Sequence, residues 1–290
     1  MNYYEHRRKK ANPNKYKECF CKNCGEKGHI MKFCTHPITS IGIILFYKKA
    51  NEDYKVLLVS RKDSIGYIDL IRGKFDLHNI KYIQLLLSNI TPEEWSKIST
   101  LPFKELWDDI WKTTLTSKRS VTKNFNTAKY KFEKLKRGYT HSGVFHSLDN
   151  MYAEVKDTVQ SNTKEWGFPK GRPKLKESQL QCAQREVFEE TCLRHMKDYT
   201  MVPGIGPITT VYKGLNGLSY RNIYFVGQLT NVNKYKIKLN TKNIHQSIEI
   251  GGIKWHSLKE ALGCFRAHNI HKKMSIFKFL ESMNKIKLPI

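Results

Sequence analysis

The chain has 290 residues, 40% of them hydrophobic, which is enough for one large core with appendages or for two domains. Its 51 Lys and Arg outnumber 26 Asp and Glu, and the formal net charge of +25 favours polyanionic partners, nucleic acid first. No run of 18 apolar residues occurs and residues 1–18 lack a signal-peptide core, which excludes the membrane-spanning and secreted classes and predicts a soluble intracellular protein without a membrane partner.

Residues 1–36 are predicted to form a basic arm that ends in a set of metal ligands. Their spacing, C-x2-C-x4-H-x4-C, lets three thiolates and one imidazole surround one Zn2+ ion. The four ligands are Cys21, Cys24, His29 and Cys34. The spacing resembles the retroviral-type zinc knuckle, and that resemblance implies binding of single-stranded nucleic acid, with Phe20 or Phe33 stacking on bases.

Two apolar runs, 41–47 and 54–60, are separated by the polar segment KKANED. Their β-branched residues and the turn-prone connection predict an antiparallel hairpin with both strands largely buried. The following segment, IDLIRGKF, predicts a short strand or loop that contains Arg72 and Gly73. We assign residues 37–75 to the first part of a split domain.

Residues 76–150 change to helical patterns and predict an inserted helical domain. Thr91, Pro92 and Glu94 combine an N-cap, a first-turn proline and a capping-box acid, which predicts a helix start. Between positions 97 and 141 the chain has 11 Lys and Arg but 4 Asp and Glu. This excess predicts either a surface that follows RNA phosphates or an ordinary solvated helix face.

Carboxylates are concentrated in the segment 166–193, although the chain as a whole is basic. On a helix, Glu186, Glu189 and Glu190 lie at i, i+3 and i+4 and share one face. A hard divalent cation such as Mg2+ would relieve their repulsion and could also bridge to a substrate phosphate. The triplet alone is equally typical of an acidic, solvated helix.

A wider pattern surrounds these carboxylates. Residues 171–193 resemble the Nudix box G-x5-E-x7-R-E-U-x-E-E-x-G-U, in which U is aliphatic, and eight of its nine defined positions match. The exception is Cys192, which stands where the family has glycine. Because that glycine ends the helix in a left-handed conformation, a residue with a Cβ should adopt it only at some cost.

The resemblance implies an α+β protein: a Nudix α/β/α sandwich with a mixed sheet, a helical insertion and a small N-terminal zinc knuckle. It implies hydrolysis of a nucleoside diphosphate linked to another group, with Mg2+ or Mn2+ as cofactor. Arg185 and Glu177 would brace the loop by an ion pair and assist catalysis. Lys170 would contact phosphate, and an ordinary exposed loop lysine is the alternative. The implied metal ligands are Gly171, Glu186, Glu189 and Glu190. Of these, Glu186 and Glu190 are also catalytic candidates.

Residues 151–290 are predicted to complete the domain. The segments ITTVYKG, RNIYFVGQL and GGIKWHSL predict strands, and an amphipathic helical region follows. Glu249 precedes the Trp-containing strand. The resemblance implies that Glu249 is a further metal ligand or the general base, and an exposed strand residue is the alternative.

Three further segments extend the resemblance: EWGFPKGR before the box, the insertion with its basic KYKFEKLK, and IEIGGIKW near the end. Together they resemble the decapping enzymes of large cytoplasmic DNA viruses, the asfarvirus type in particular, over residues 38–285. This implies a virus-encoded enzyme of the host cytoplasm that hydrolyses the 5′ cap of capped mRNA. The insertion and the knuckle would hold the RNA body, and the oligomeric state stays open.

Two other functions are compatible with these patterns: hydrolysis of diphosphoinositol polyphosphates or dinucleotides, and RNA binding without catalysis. A capped substrate would also need an aromatic or apolar slot for its methylated guanine. The sequence does not choose among the candidates Tyr67, Phe75, Tyr220, Tyr224 and Trp255.

Overall fold

The chain divides into two compact units, which are described here from a computed structural model. The sheet unit comprises Met1–Ser60 with Glu165–Ile290, and the helical unit comprises Arg61–Lys164. The structure describes residues 16–111, 118–158, 165–214, 216–240 and 242–286. Residues 1–15, which make up much of the predicted basic arm, lie outside these ranges.

The described residues form strands at both ends of the chain and helices mainly in the middle. The strands are β1 (Ile38–Tyr47), β2 (Lys55–Arg61), β3 (Tyr139–His141), β4 (Val144–His146), β5 (Trp166–Gly167), β6 (Lys170–Gly171), β7 (Tyr199–Met201), β8 (Ile208–Lys213), β9 (Ser219–Leu229) and β10 (Ile250–Ser257). Short 3-10 helices cover Met31–Phe33, Lys156–Thr158 and Val232–Tyr235.

The α-helices are α1 (Ile65–Ile71), α2 (Ile80–Leu87), α3 (Pro92–Thr100), α4 (Phe103–Trp111), α5 (Lys118–Arg137), α6 (Leu148–Val155), α7 (Gln179–Thr191), α8 (Ile244–Glu249), α9 (Leu258–Cys264) and α10 (Ile270–Lys285). Within the described ranges, none is long and apolar enough to cross a lipid bilayer.

One mixed sheet of eight strands forms the centre of the sheet unit. Its order is β10-β2-β1-β9-β7, with β5 on β2, β6 on β1 and β8 on β9. The predicted hairpin is confirmed, because β1 and β2 are antiparallel with Phe46 opposite Val56. The strands β1 and β9 are parallel, whereas β5 returns antiparallel to β2 with Val59 opposite Gly167. The three strands predicted near the C-terminus are β8, β9 and β10.

Helices cover both faces of this sheet. Along β1, Ile41 and Ile43 point to the face that α7 covers, and Ile44 and Phe46 point to the face covered by α9 and α10. This alternation is the two-residue period of a strand that is buried on both sides. The predicted α/β/α sandwich with a mixed sheet is therefore confirmed.

The helical unit has a core of its own, built from α1 to α6 and the hairpin β3–β4. The prediction of a strand or loop for IDLIRGKF is wrong for its first four residues, which lie in α1, whereas Arg72 and Gly73 lie in the turn that follows the helix. Ser64 caps α1 by accepting a hydrogen bond from Tyr67 N. Tyr67, Leu70 and Ile71 then recur at helical spacing and are buried. The unit extends beyond the expected limits 76–150 on both sides.

A buried carboxylate joins two helix starts in the helical unit. The capping box predicted at Thr91 and Glu94 is present. Glu94, which is 3% exposed, also accepts hydrogen bonds from Ser64 N and Ser64 Oγ, both at 2.7 Å. One side chain therefore fixes the first turns of both α1 and α3.

We expect Glu94→Gln to destabilise the protein by about 1.5–3 kcal/mol, the usual contribution of hydrogen bonds to a charged group. The side-chain NH2 group of glutamine would face one of the N–H or O–H groups that now donate to the Glu94 carboxylate. Urea unfolding followed by circular dichroism measures the change. Glu93→Gln, at an exposed neighbouring position, is the control, and equal losses in both variants would contradict this role of Glu94.

Candidate active site

The predicted carboxylates lie on α7, whose start is fixed by a capping box. Ser178 Oγ accepts a hydrogen bond from Gln181 N at 3.2 Å, and Gln181 Oε1 accepts one from Ser178 N at 2.9 Å. The buried side chains of Cys182, Ala183 and Val187 pack on the sheet. The acidic residues are therefore left at the border of this packed face, next to β6.

A bidentate ion pair closes the loop in front of α7. Arg185 Nε and Nη2 donate to the two carboxylate oxygens of Glu177 at 2.6 and 2.8 Å. Arg185 Nη2 also donates to the carbonyl of Arg172 at 3.1 Å, and Lys174 N donates to Glu177 at 2.8 Å. The hydrogen bond from Arg185 lowers the pKa of Glu177 to about 2. The pairing expected of Arg185 and Glu177 is thus present.

Glu186 packs against the glycine of β6. A Cβ built on Gly171 would lie closer than 3.0 Å to the Glu186 carboxylate, so only glycine leaves this carboxylate in place. The Glu186 residue is 9% exposed. Burial raises the pKa of Glu186 above its usual value, although the charge of Arg185 opposes the shift.

Glu190 lies beside it, one turn further along α7. Its Oε2 accepts a hydrogen bond from Lys170 N at 3.1 Å. Burial raises the pKa of Glu190 to about 8, the charge of Lys170 opposes this shift, and the charges of Glu186 and Glu249 add to it. The structure therefore places the carboxyl groups of Glu186 and Glu190 together against β6, and the charge of Glu249 acts on both. Their mutual repulsion and oxygen donors fit a hard divalent cation.

The two other predicted carboxylate ligands differ in their surroundings. Glu189 is engaged by two cations, at 3.1 Å from Arg185 Nη1 and 3.4 Å from Lys174 Nζ. Glu249 is exposed and is the last residue of α8, directly before β10. It is not a strand residue, which corrects the alternative considered for it.

Cys192 ends α7 in the left-handed conformation that the sequence pattern requires. Its φ is 61° and its ψ is 10°, and its N–H donates to the carbonyl of Phe188 at 2.9 Å. The departure from glycine therefore leaves the helix end unchanged.

Sequence reasoning missed a buried ion pair that supports the loop before β6. Lys272 Nζ lies 2.6 Å from Glu165 Oε1 and donates to the carbonyl of Trp166 at 2.7 Å. Asn269 Nδ2 donates to the same Glu165 oxygen at 2.9 Å. Burial opposes ionisation of Glu165, but the charge of Lys272 outweighs it and lowers the pKa of Glu165 to about 2. A lysine on the otherwise apolar face of α10 is the sequence signal for this pair.

The four predicted zinc ligands come together near the start of β1. One donor atom from each of them lies within 4.8 Å of the others, and the residues are Cys21, Cys24, His29 and Cys34. Asn23 donates from its backbone N to Cys21 Sγ at 3.4 Å and from Nδ2 to Cys34 Sγ at 3.2 Å. Such bonds stabilise thiolates, and three sulfur donors with one nitrogen donor fit a tetrahedral Zn2+ ion.

Asn23 also attaches this cluster to the sheet. Its Nδ2 donates to the carbonyl of Pro37 at 3.0 Å, and its Oδ1 accepts a hydrogen bond from Thr39 N at 2.9 Å. Thr39 Oγ1 in turn accepts hydrogen bonds from Arg221 Nε and Nη2 at 3.2 and 3.1 Å. The Cys/His cluster is therefore a docked part of the sheet unit.

The aromatic candidates for a guanine slot are mostly core residues. Tyr67 and Phe75 are fully buried in the helical unit, and Tyr224 and Trp255 are 1% and 7% exposed in the sheet unit. Tyr220 is half-buried and stacks on Tyr212, with ring centroids 5.5 Å apart. Of the five candidates, Tyr220 alone retains a partly open ring.

Some basic side chains of the helical unit serve its own structure. Lys131 Nζ donates to the carbonyls of Gly73 and Phe75, and Lys136 Nζ donates to the carbonyl of Ser99 at 3.2 Å. Lys129 and Arg137 of α5 are exposed. The cationic residues of α5 are thus divided between internal contacts and the surface.

Comparison with known proteins gives a domain match and viral relatives. The NUDIX domain profile matches residues 154–276. A candidate mRNA-decapping protein of Acanthamoeba polyphaga mimivirus is 27% identical, over 89% of this chain and 92% of that protein. The mRNA-decapping protein g5R of African swine fever virus (isolate Pig/Kenya/KEN-50/1950) is 26% identical, over 76% and 85%. An Ap4A hydrolase structure from C. elegans has 13% identity and a TM-score of 0.42, over 86% of this chain and 98% of that one.

We expect Gly171→Ala to keep the fold but displace the Glu186 carboxylate, because a flexible side chain can yield to the added methyl group. Affinity for Mn2+ should fall roughly 10- to 100-fold, as it does when a group that orients metal ligands is removed. Isothermal titration calorimetry measures it. Gly206→Ala is the control, since no atom lies within 4 Å of its added Cβ. Unchanged affinity in Gly171→Ala would contradict the importance of this contact.

Proposed function

Because this chain carries a Nudix domain and is a hydrolase homologous to viral mRNA-decapping proteins, we propose that it hydrolyses the 5′ cap of mRNA. The products are a methylated guanosine diphosphate and RNA with a 5′-monophosphate. The observation that carries the proposal is the packing of two carboxyl groups of α7 against β6, where Glu186 contacts Gly171 and Glu190 accepts a hydrogen bond from Lys170 N at 3.1 Å. As the relatives are viral, we place the reaction in the cytoplasm of a host cell.

Nudix hydrolases use divalent cations, and we propose Mg2+ or Mn2+ here. Glu186, Glu190 and Glu249 would hold the ion with the Gly171 carbonyl. Glu189 is engaged by Arg185 and Lys174 and would complete the set of ligands. When bound, the cation supplies charge neutralisation at the cap phosphates and lowers the pKa of a coordinated water.

The side chains of this site have separate tasks in the proposed reaction. Water attacks one cap phosphorus while the bond from that phosphorus to the bridging oxygen breaks, and the bridging oxygen leaves with the other product. Glu249 is exposed, and in the alternative in which it serves as general base in place of a cation ligand, it would accept the proton of the attacking water. The positive charge of Lys170 acts to lower the pKa of Glu190. In the proposed reaction, Lys170 would contact a phosphate oxygen. Arg185 and Glu177 keep α7 and its loop in position.

We propose that the Cys/His cluster holds Zn2+ and contacts the RNA body. Phe20, which is 54% exposed, offers an aromatic face to a base. The exposed cations of α5, including Lys129 and Arg137, would contact phosphates without reading sequence. Binding through phosphates accounts for the excess positive charge and should weaken steeply with added salt.

We expect wild-type protein to release labelled methyl-GDP from capped RNA and Glu190→Gln to lose at least about 100-fold of that rate, since one cation ligand loses its charge. Thin-layer chromatography of the products measures the release. Glu281→Gln is the control, because Glu281 is an exposed residue of α10 paired with Lys285. Equal release by wild type and Glu190→Gln would remove the catalytic role. A stronger activity on an inositol pyrophosphate at physiological salt would replace the proposed substrate.

We expect Cys24→Ser to lower the zinc content and to reduce the rate on capped RNA relative to the rate on a free cap dinucleotide. The free dinucleotide lacks the RNA body that the cluster would hold. Zinc is measured by mass spectrometry, and both rates are measured at several salt concentrations. Cys19→Ser is the control, because Cys19 is exposed and lies outside the ligand set. An equal loss on both substrates would show instead that the cluster supports the fold of the active site.

A further inference from the structure

Cys192 occupies a backbone position that favours glycine. With a φ of 61° it lies in the left-handed region, where a Cβ is strained and glycine is not. The strain raises the question of what its side chain contributes, since a glycine would end α7 equally well.

The thiol of Cys192 lies among polar side chains that come from the segment before α8 and from the first turn of α8. Asn243 Nδ2 donates to Cys192 Sγ at 3.1 Å, and Asn240 Nδ2 lies at 3.9 Å. The thiol is also 3.9 Å from Gln246 Oε1. Three residues of one segment therefore converge on the sulfur atom.

The same residues define the first turn of α8. Asn243 caps this helix by accepting a hydrogen bond from Gln246 N at 3.3 Å. Gln246 is 1% exposed, and its Nε2 donates to the carbonyl of Glu190 at 2.8 Å. The start of α8 is thus held at two points of α7, by the Cys192 thiol and by the Glu190 carbonyl.

The other end of α8 carries Glu249. The helix has six residues, so a rotation of its first turn would move Glu249 directly. Gln246, three residues before Glu249 on this short helix, is hydrogen-bonded to the Glu190 carbonyl at 2.8 Å, so α8 is attached to α7 at the acidic residues. In agreement with this attachment, the charge of Glu249 raises the pKa of both Glu186 and Glu190.

We propose that Cys192 is a positioning residue that holds α8 so that Glu249 stays beside Glu186 and Glu190. This role depends on the proposed cation site, because it concerns the orientation of one ligand of that site, Glu249. A glycine at this position would adopt the left-handed conformation without strain but would lack the hydrogen bond that the Cys192 sulfur accepts from Asn243 at the start of α8.

We expect Cys192→Gly and Asn243→Ala each to weaken Mn2+ binding by roughly tenfold in the full-length protein without substrate, since residues that orient metal ligands typically have effects of this size. Calorimetric titration with Mn2+ measures the affinity. The thermal unfolding midpoint of Cys192→Gly should not fall, because glycine removes the backbone strain. With capped RNA, kcat should fall while KM stays the same.

Two further variants separate positioning from general packing. Cys192→Ser retains a polar group at the same place and should recover most of the Mn2+ affinity. The double variant of Cys192→Gly with Asn243→Ala should bind no more weakly than either single variant, because each breaks the same contact. Full additivity in the double variant would overturn the proposal.

The controls distinguish this inference from the proposed function. Cys264→Ser changes another half-buried cysteine, which contacts His256 at 3.7 Å and lies on α9; it should bind Mn2+ like the wild type. If Glu190→Gln binds Mn2+ like the wild type, the cation site itself is wrong. If Glu190→Gln binds weakly but Cys192→Gly and Asn243→Ala bind normally, only the role of Cys192 is wrong.

Discussion

The packing of carboxylates against β6 is the constraint on which the site depends. Glu186 lies where any side chain at position 171 would be, and Glu190 accepts a hydrogen bond from the backbone of β6. Like charges held this closely repel each other, and burial removes the water that would screen them. The surrounding fold must therefore supply enough rigidity to hold an arrangement that is unfavourable while these groups are charged. The capping box of α7, its apolar face on the sheet and the bidentate pair of Arg185 with Glu177 together provide that rigidity.

Positive charge has two distinct uses in this chain. Some cations act as structural partners: Arg185 closes the loop before α7, Lys272 supports the segment before β6, and Lys131 binds backbone carbonyls in the helical unit. Each of these is fixed by several hydrogen bonds in a defined geometry. Others, such as Arg137, are exposed and fit a partner that is recognised through its phosphates. A net charge alone does not separate the two groups, whereas the contacts of each side chain do.

Much of the fold and site could be predicted because local sequence carries the information. The β1–β2 hairpin, the capping box at Thr91 and the acidic face of α7 depend on residues close together in sequence. The errors and omissions involve partners far apart. The start of α1 depends on Glu94, thirty positions from Ser64. The pair of Glu165 with Lys272 spans 107 positions, and no spacing rule connects such residues. The contacts of Cys192 with the segment before α8 were equally out of reach, since the pattern marked Cys192 only as an exception.

The antiparallel pairing of β2 with β5 has a consequence for how this protein is assembled. Ser60 lies opposite Trp166, so the chain leaves the sheet and returns to it at adjacent points, about 5 Å apart across the strand pair. Residues 61–164 thus connect β2 to its neighbour β5, and the described part of this connection has its own core. A nascent chain emerging from the ribosome would complete this inserted segment before the strands β5 to β10 are synthesised. The architecture is that of a module inserted into a turn, which a short linker could replace without separating the two strands that border it.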